Sequence, residues 1–169
     1  MVKKILILLL LPLFLTCCIG YHRIPKDNNG EPILNEKVNY KFAKIPNEKD
    51  LTKIDTSAYY VQIFEGRYYN DNEKKNPQIL IFHNDGFFKK TSTLYYLKYD
   101  SRNKKSVYYG GKYKIKENTI ELEQFYPSRG GKTNYYSRNI TKGEINGDKL
   151  IFDNGPSLFT IYEKKYNLN

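Results

Sequence analysis

The chain has no tryptophan, one methionine, two histidines and two cysteines in 169 residues. The cysteines, Cys17 and Cys18, are adjacent. Neighbouring cysteines do not readily close a disulfide of ordinary geometry. The chain beyond Cys18 therefore has no disulfide framework and no thiolate metal site. His22 and His83 are 61 positions apart. A histidine without a second histidine or a cysteine near it is a poor basis for a metal centre or a Ser-His-Asp triad. Gly131-Lys132-Thr133 has the ending of a phosphate loop, but Tyr126 stands where its first glycine belongs. Tyr135-Tyr136 also suggests a strand where that motif needs a helix. Glu121 and Glu123 would be the carboxylate pair of a glycosidase, but each falls opposite a lysine if residues 108–125 form a hairpin. No enzyme and no cofactor is expected. Long helical periodicity is missing as well.

What is plentiful is aromatic and basic. There are 17 tyrosines and 9 phenylalanines, residues that favour strands. Lys and Arg number 28 against 18 Asp and Glu, a formal charge of +10. The charges are dispersed, as on a solvated exterior. Arg129, Lys132 and Arg138 lie near tyrosines, a combination that would suit nucleic acid, but the export signal of residues 1–18 places the chain where nucleic acid is rare, and none is expected as a partner.

Residues 1–18 read M-V-K-K-I-L-I-L-L-L-L-P-L-F-L-T-C-C. Lys3 and Lys4 precede an apolar run, Ile5 to Leu15, too short for the roughly 20 residues of a membrane span. This is the layout of an export signal. Leu15-Thr16-Cys17-Cys18 resembles the lipobox of bacterial lipoproteins, with Cys18 as the lipidated residue; Cys17 is the alternative. The resemblance implies cleavage after residue 17, diacylglycerol and palmitate-type acylation, and attachment to a membrane. Loss of residues 1–17 removes two lysines and leaves 26 basic against 18 acidic residues, a net +8. No acidic cluster follows Cys18, which favours the periplasmic side of the outer membrane over surface display. Residues 18–55 carry Pro25, Pro32, Pro46 and Asn28-Asn29-Gly30 and read as a mostly irregular tether.

From residue 56 to 165 the pattern is of short strands joined by tight turns. The stretch from Tyr108 to Phe125 is a hairpin if Glu117-Asn118 is its turn. Ile115 then faces Ile120 and Tyr113 faces Leu122 on an apolar side. Lys114 faces Glu121 and Lys112 faces Glu123 on the other. Asn84-Asp85-Gly86 makes a three-residue hairpin loop that sets Phe82 opposite Phe88 and Leu80 opposite Lys90. Further strands are expected at Ala58–Phe64, Leu94–Tyr99, Asn134–Ile145, Lys149–Asp153 and Leu158–Tyr162. The turn near Asn146-Gly147-Asp148 has two solutions, of which Gly147-Asp148 pairs Ile145 with Leu150. The fold class is all-β: an antiparallel up-and-down barrel or strongly curled sheet of about eight strands. Tyrosine pairs recur at 59–60, 68–69, 95–96, 108–109 and 135–136, and in a strand each pair sends one ring to either face.

Gly66-Arg67-Tyr68-Tyr69, Phe82 with Asp85-Gly86-Phe87-Phe88, Gly111-Lys112-Tyr113-Lys114-Ile115 and Gly143-Glu144-Ile145-Asn146-Gly147-Asp148 follow one another in an order similar to lipocalin-like (calycin-type) domains. Tyr68 stands where lipocalins carry a tryptophan. The resemblance implies a barrel that binds a small apolar ligand. One phase of the strands would line such a cavity: Leu80, Phe82, Phe88, Tyr109, Gly111, Tyr113, Ile115, Ile120 and Leu122. Gly111 there has a second explanation, a bend that lets the sheet curl. The alternative function is an envelope interaction protein with a filled barrel, holding protein or glycan partners on its outer face.

Overall fold

A computed structural model describes residues 20–66, 68–96, 98, 101–128, 134–153, 155 and 158–168. Cys17, Cys18, Arg67, Arg129 and Gly131-Lys132-Thr133 lie outside the described residues. The strands described are β1 (Tyr21–Arg23), β2 (Tyr59–Ile63), β3 (Gln78–Phe82), β4 (Phe87–Ser92), β5 (Gly110–Lys116), β6 (Thr119–Pro127), β7 (Tyr135–Asn146), β8 (Lys149–Asp153) and β9 (Phe159–Lys165). From β2 onward each strand pairs antiparallel with the next, and β9 returns to β2. The result is a closed eight-stranded up-and-down barrel. β1 adds outside the closure, on Tyr135–Ser137 of β7.

The registers follow the side chains. Lys116 pairs with Thr119 around Glu117-Asn118, bringing Ile115 to Ile120, Tyr113 to Leu122, Lys114 to Glu121 and Lys112 to Glu123. Leu80 pairs with Lys90 and Phe82 with Phe88, with Gly86 at φ +82° in the loop between them. Ile145 pairs with Leu150, which selects the Gly147-Asp148 turn. A one-residue slip in any of these would turn the apolar face outward.

One expected strand needs correction. Leu94–Tyr99 forms no strand in its described part; Tyr95 N–H donates to the Ser92 carbonyl, and residues 93–96 turn. A strand there would have no edge to join, because β4 is paired with β3 on one side and β5 on the other. Residues 70–77 hold a short helix, Asp71–Lys75, closed by a reciprocal Asn70–Glu73 capping box.

The tether is the larger correction. Residues 20–55 are mostly irregular, as their prolines require, but they do not stand off the barrel. Ile24, Leu34 and Tyr40 pack with Phe87, Val107, Phe125 and Tyr136 into a second core on the outer face of the sheet. Ile54 enters the barrel itself, beside Tyr60, Leu150 and Tyr162. The segment plugs the end that carries the three short hairpin turns: Lys53 Nζ donates to the Glu117 carbonyl, and Tyr60 Oη accepts from the Asp55 N–H. Apolar residues spaced by prolines have neither strand nor helix period, so their burial leaves no periodic trace.

Candidate functional site

A meander alternates its connections between two ends. Asn84–Gly86, Glu117-Asn118 and Gly147-Asp148 share the plugged end, and the longer connections share the other. Inward positions divide the interior accordingly. Toward the plugged end Tyr60, Phe82, Phe88, Tyr113, Ile115, Ile120, Leu150 and Phe152 are packed together. The rings meet edge to face: Tyr60 with Phe82 at 5.3 Å and Phe82 with Tyr113 at 5.0 Å between centroids. This half is filled by its own side chains.

The other half is hollow and polar. A cavity of about 270 Å³ has Leu80, Leu122 and Phe152 as its apolar floor. Gln78, Lys90, Gln124, Tyr126, Asn139, Thr141, Thr160 and Tyr162 complete its wall. Period two explains the set: Gln78 and Leu80 share a face of β3, and Leu122, Gln124 and Tyr126 share a face of β6. Tyr162 Oη donates to Gln78 Oε1 at 3.1 Å, and Tyr126 Oη donates to Gln124 Oε1 at 2.9 Å. Burial raises the pKa of both tyrosines, so both stay protonated donors near neutral pH. Each glutamine oxygen thus accepts one hydrogen bond. Neither Nε2 has a partner among the described residues.

Among the described residues Lys90 is the single charge in this wall. Burial lowers its pKa. Its ammonium has no hydrogen bond or ion pair among the described residues, and none of the described Asp or Glu residues lines the cavity. Ser92, on the same face of β4 two residues on, has its Oγ buried without a partner. Of these groups only the Ser92 Oγ is withdrawn from water without a partner, which costs free energy; the Lys90 ammonium and the two glutamine amides keep contact with solvent in the cavity.

The expected lining residues divide. Leu80, Phe82, Phe88, Tyr113, Ile115, Ile120 and Leu122 come together in one cluster. Of these only Leu80 and Leu122 reach the cavity. Tyr109 lies elsewhere: its hydroxyl is 2.6 Å from His83 Nε2, and Lys89 Nζ sits over its ring at 5.7 Å. Gly110, at φ +158°, breaks the alternation that would have carried Tyr109 inward. Gly111 pairs with Gln124, but a Cβ there would run into the Glu123 carbonyl and lie 3.3 Å from the Phe88 ring. Close approach of two backbones explains this glycine. Sequence reasoning missed Lys90, Gln78 and Gln124. Leu80 opposite Lys90 was the available signal, because a lysine across from an inward leucine must also point inward.

A larger groove runs outside the wall along Ile140, Lys142, Glu144, Ile151, Asp153 and Phe159. β7 pairs with β1 up to Ser137 and with β8 from Gly143, so residues 138–142 have no partner strand on that side among the described residues. The groove shares Asn139 and Thr141 with the interior cavity. Its charges are mixed and it lies on the surface, whereas the cavity lies inside the barrel, opens to solvent, and carries one sign of charge among the described residues.

His83 and His22 are separate from both. His22 meets the Phe125 ring edge-on at 5.4 Å. Among the described residues no group of three or more His, Cys, Asp or Glu is placed to hold a metal ion. The chain matches no family model, no curated protein and no solved structure.

Proposed function

We propose that the protein is a bacterial envelope lipoprotein, anchored through acylated Cys18, whose lipocalin-like barrel is a non-catalytic binding domain for a small polar solute. The observation that carries the binding role is the half-hollow barrel, whose cavity is walled by glutamines, tyrosines and Lys90. A small apolar ligand is disfavoured, because the apolar half of the interior is occupied by aromatic and aliphatic side chains. Three peptide links separate Cys18 from Tyr21, a reach of at most about 11 Å. An anchor at Cys18 would therefore hold the barrel against the bilayer, on the periplasmic side of the outer membrane in the favoured reading.

Two experiments test the two halves. Radiolabelled palmitate is expected to enter the wild type and not the Cys18→Ala variant; persisting label would move the anchor to Cys17. Side-chain amide resonances of Gln78 and Gln124 are expected to shift when a mixture of amino acids, sugars and short carboxylic acids is added. No shift with any solute would overturn the binding role. A partner protein or glycan on the outer face is the second reading. It is favoured by exposed Tyr68, Leu94, Tyr108, Tyr135 and Leu158 around the same end of the barrel.

A further inference from the structure

We propose that the cavity selects a small monocarboxylate, with Lys90 as counter-ion and the amides of Gln78 and Gln124 as further donors. This rests on the reading of the barrel as a binding domain and adds the chemical class of its ligand. The wall offers donors where an anion needs them. Lys90 brings an ammonium without a carboxylate partner among the described residues. Tyr162 and Tyr126 occupy the glutamine oxygens and leave both amide N–H₂ groups as the unengaged ends. A neutral polyol could use the hydroxyls and amides of the wall, but it would gain nothing from the Lys90 charge.

The one cation that the described residues place in the wall matches one negative charge. A dianion such as a phosphate monoester would carry uncompensated charge into a half-buried site, at a high desolvation cost. The apolar floor of Leu80, Leu122 and Phe152 suits a short hydrocarbon portion. Allowing about 30 Å³ per water-sized group, the cavity holds roughly ten non-hydrogen atoms. That is the scale of a short fatty, hydroxy or amino acid.

The test is an NMR titration of the full-length lipoprotein in detergent with butyrate, butyramide and inorganic phosphate. Butyrate is expected to bind at least tenfold more tightly than its neutral isostere butyramide. Lys90→Met is expected to lose at least tenfold on butyrate and to leave butyramide unchanged, while Lys90→Arg retains butyrate. Lys90→Met removes a half-buried charge, so its melting temperature is expected to equal or exceed that of the wild type. Equal binding of butyrate and butyramide would overturn the charge selection and leave the binding role standing. Binding of neither, together with silence toward the mixture of amino acids, sugars and carboxylic acids, would overturn both. Lys90-dependent phosphate binding as tight as that of butyrate would overturn the carboxylate class.

Discussion

Lys112 and Glu123 face each other across the β5–β6 hairpin, yet their charged ends part. Lys112 Nζ bonds Glu36 Oε2 at 2.9 Å and lies 4.8 Å from the Phe87 ring centroid. Glu123, with no exposed surface, accepts the Lys41 and Phe42 backbone N–H groups at 2.8 to 2.9 Å. Arg138 Nε stands 3.7 Å away. One rung earlier Lys114 and Glu121 pair directly at 2.9 Å. The difference is cover. Residues 36–42 lie over one rung and replace the cross-strand partner with contacts of their own.

Glu123→Ala would leave one buried and one partly buried amide without acceptors and is expected to cost about 3 kcal/mol. Glu121→Ala removes a partly exposed pair and should cost less than about 1 kcal/mol. Urea unfolding of the two variants side by side checks this. Equal losses would mean that residues 41–42 do not hold the sheet in solution.

Gly143 and Gly111 are expected to resist even alanine. A Cβ on Gly143 would lie 2.6 Å from Cδ1 of Phe152, and one on Gly111 would meet the backbone of Glu123. Gly143→Ala displaces a core ring, and we expect a loss of about 1–3 kcal/mol, the range for overpacking. Gly111→Ala has no side chain to push aside and should lose more. Thermal unfolding that ranks Gly143→Ala as the worse of the two would contradict the packing described.

Both histidines predict a loss of stability on acidification. Burial, and then the cation Lys104, lowers the His83 pKa below its ordinary 6.5. Burial, and then Arg138, lowers that of His22. A depressed folded-state pKa means that the unfolded chain binds protons first. The stability is complete above about pH 6.5 and is lost as pH falls through the folded-state values. Melting temperatures taken from pH 7.5 down to 5 should fall, and His83→Gln should fall less steeply. A melting temperature that rises over this interval would exclude the effect.

Removing residues 18–55 would be harmless if they were a tether. We expect instead that a chain beginning at Thr56 unfolds at a much lower temperature or aggregates. It would expose Phe87, Val107, Phe125 and Tyr136 on the outside and leave the barrel without Ile54. Circular dichroism melting of the shortened and mature chains decides the matter, and equal melting would restore the tether.

What the sequence determined by itself was local: alternation, turn chemistry and the pairing they impose. Ile115 against Ile120, Phe82 against Phe88 and Ile145 against Leu150 are readable because neighbouring strands joined by short turns have few registers. Barrel closure is only implied by strand number, and β9 returning to β2 completes it. Tertiary structure alone decided three things. Residues 20–55 cover the sheet, because isolated apolar residues between prolines find their burial only once the barrel surface exists. Tyr109 leaves the inward phase at Gly110, where a backbone angle overrides alternation. The interior is packed at one end and hollow at the other, because filling depends on how side chains from strands distant in sequence meet across the barrel. Leu80 and Lys90 are neighbours in any alignment of their hairpin, but only the wall of β6, β7 and β9 across from them turns Lys90 into the one charge that the described residues place in a cavity.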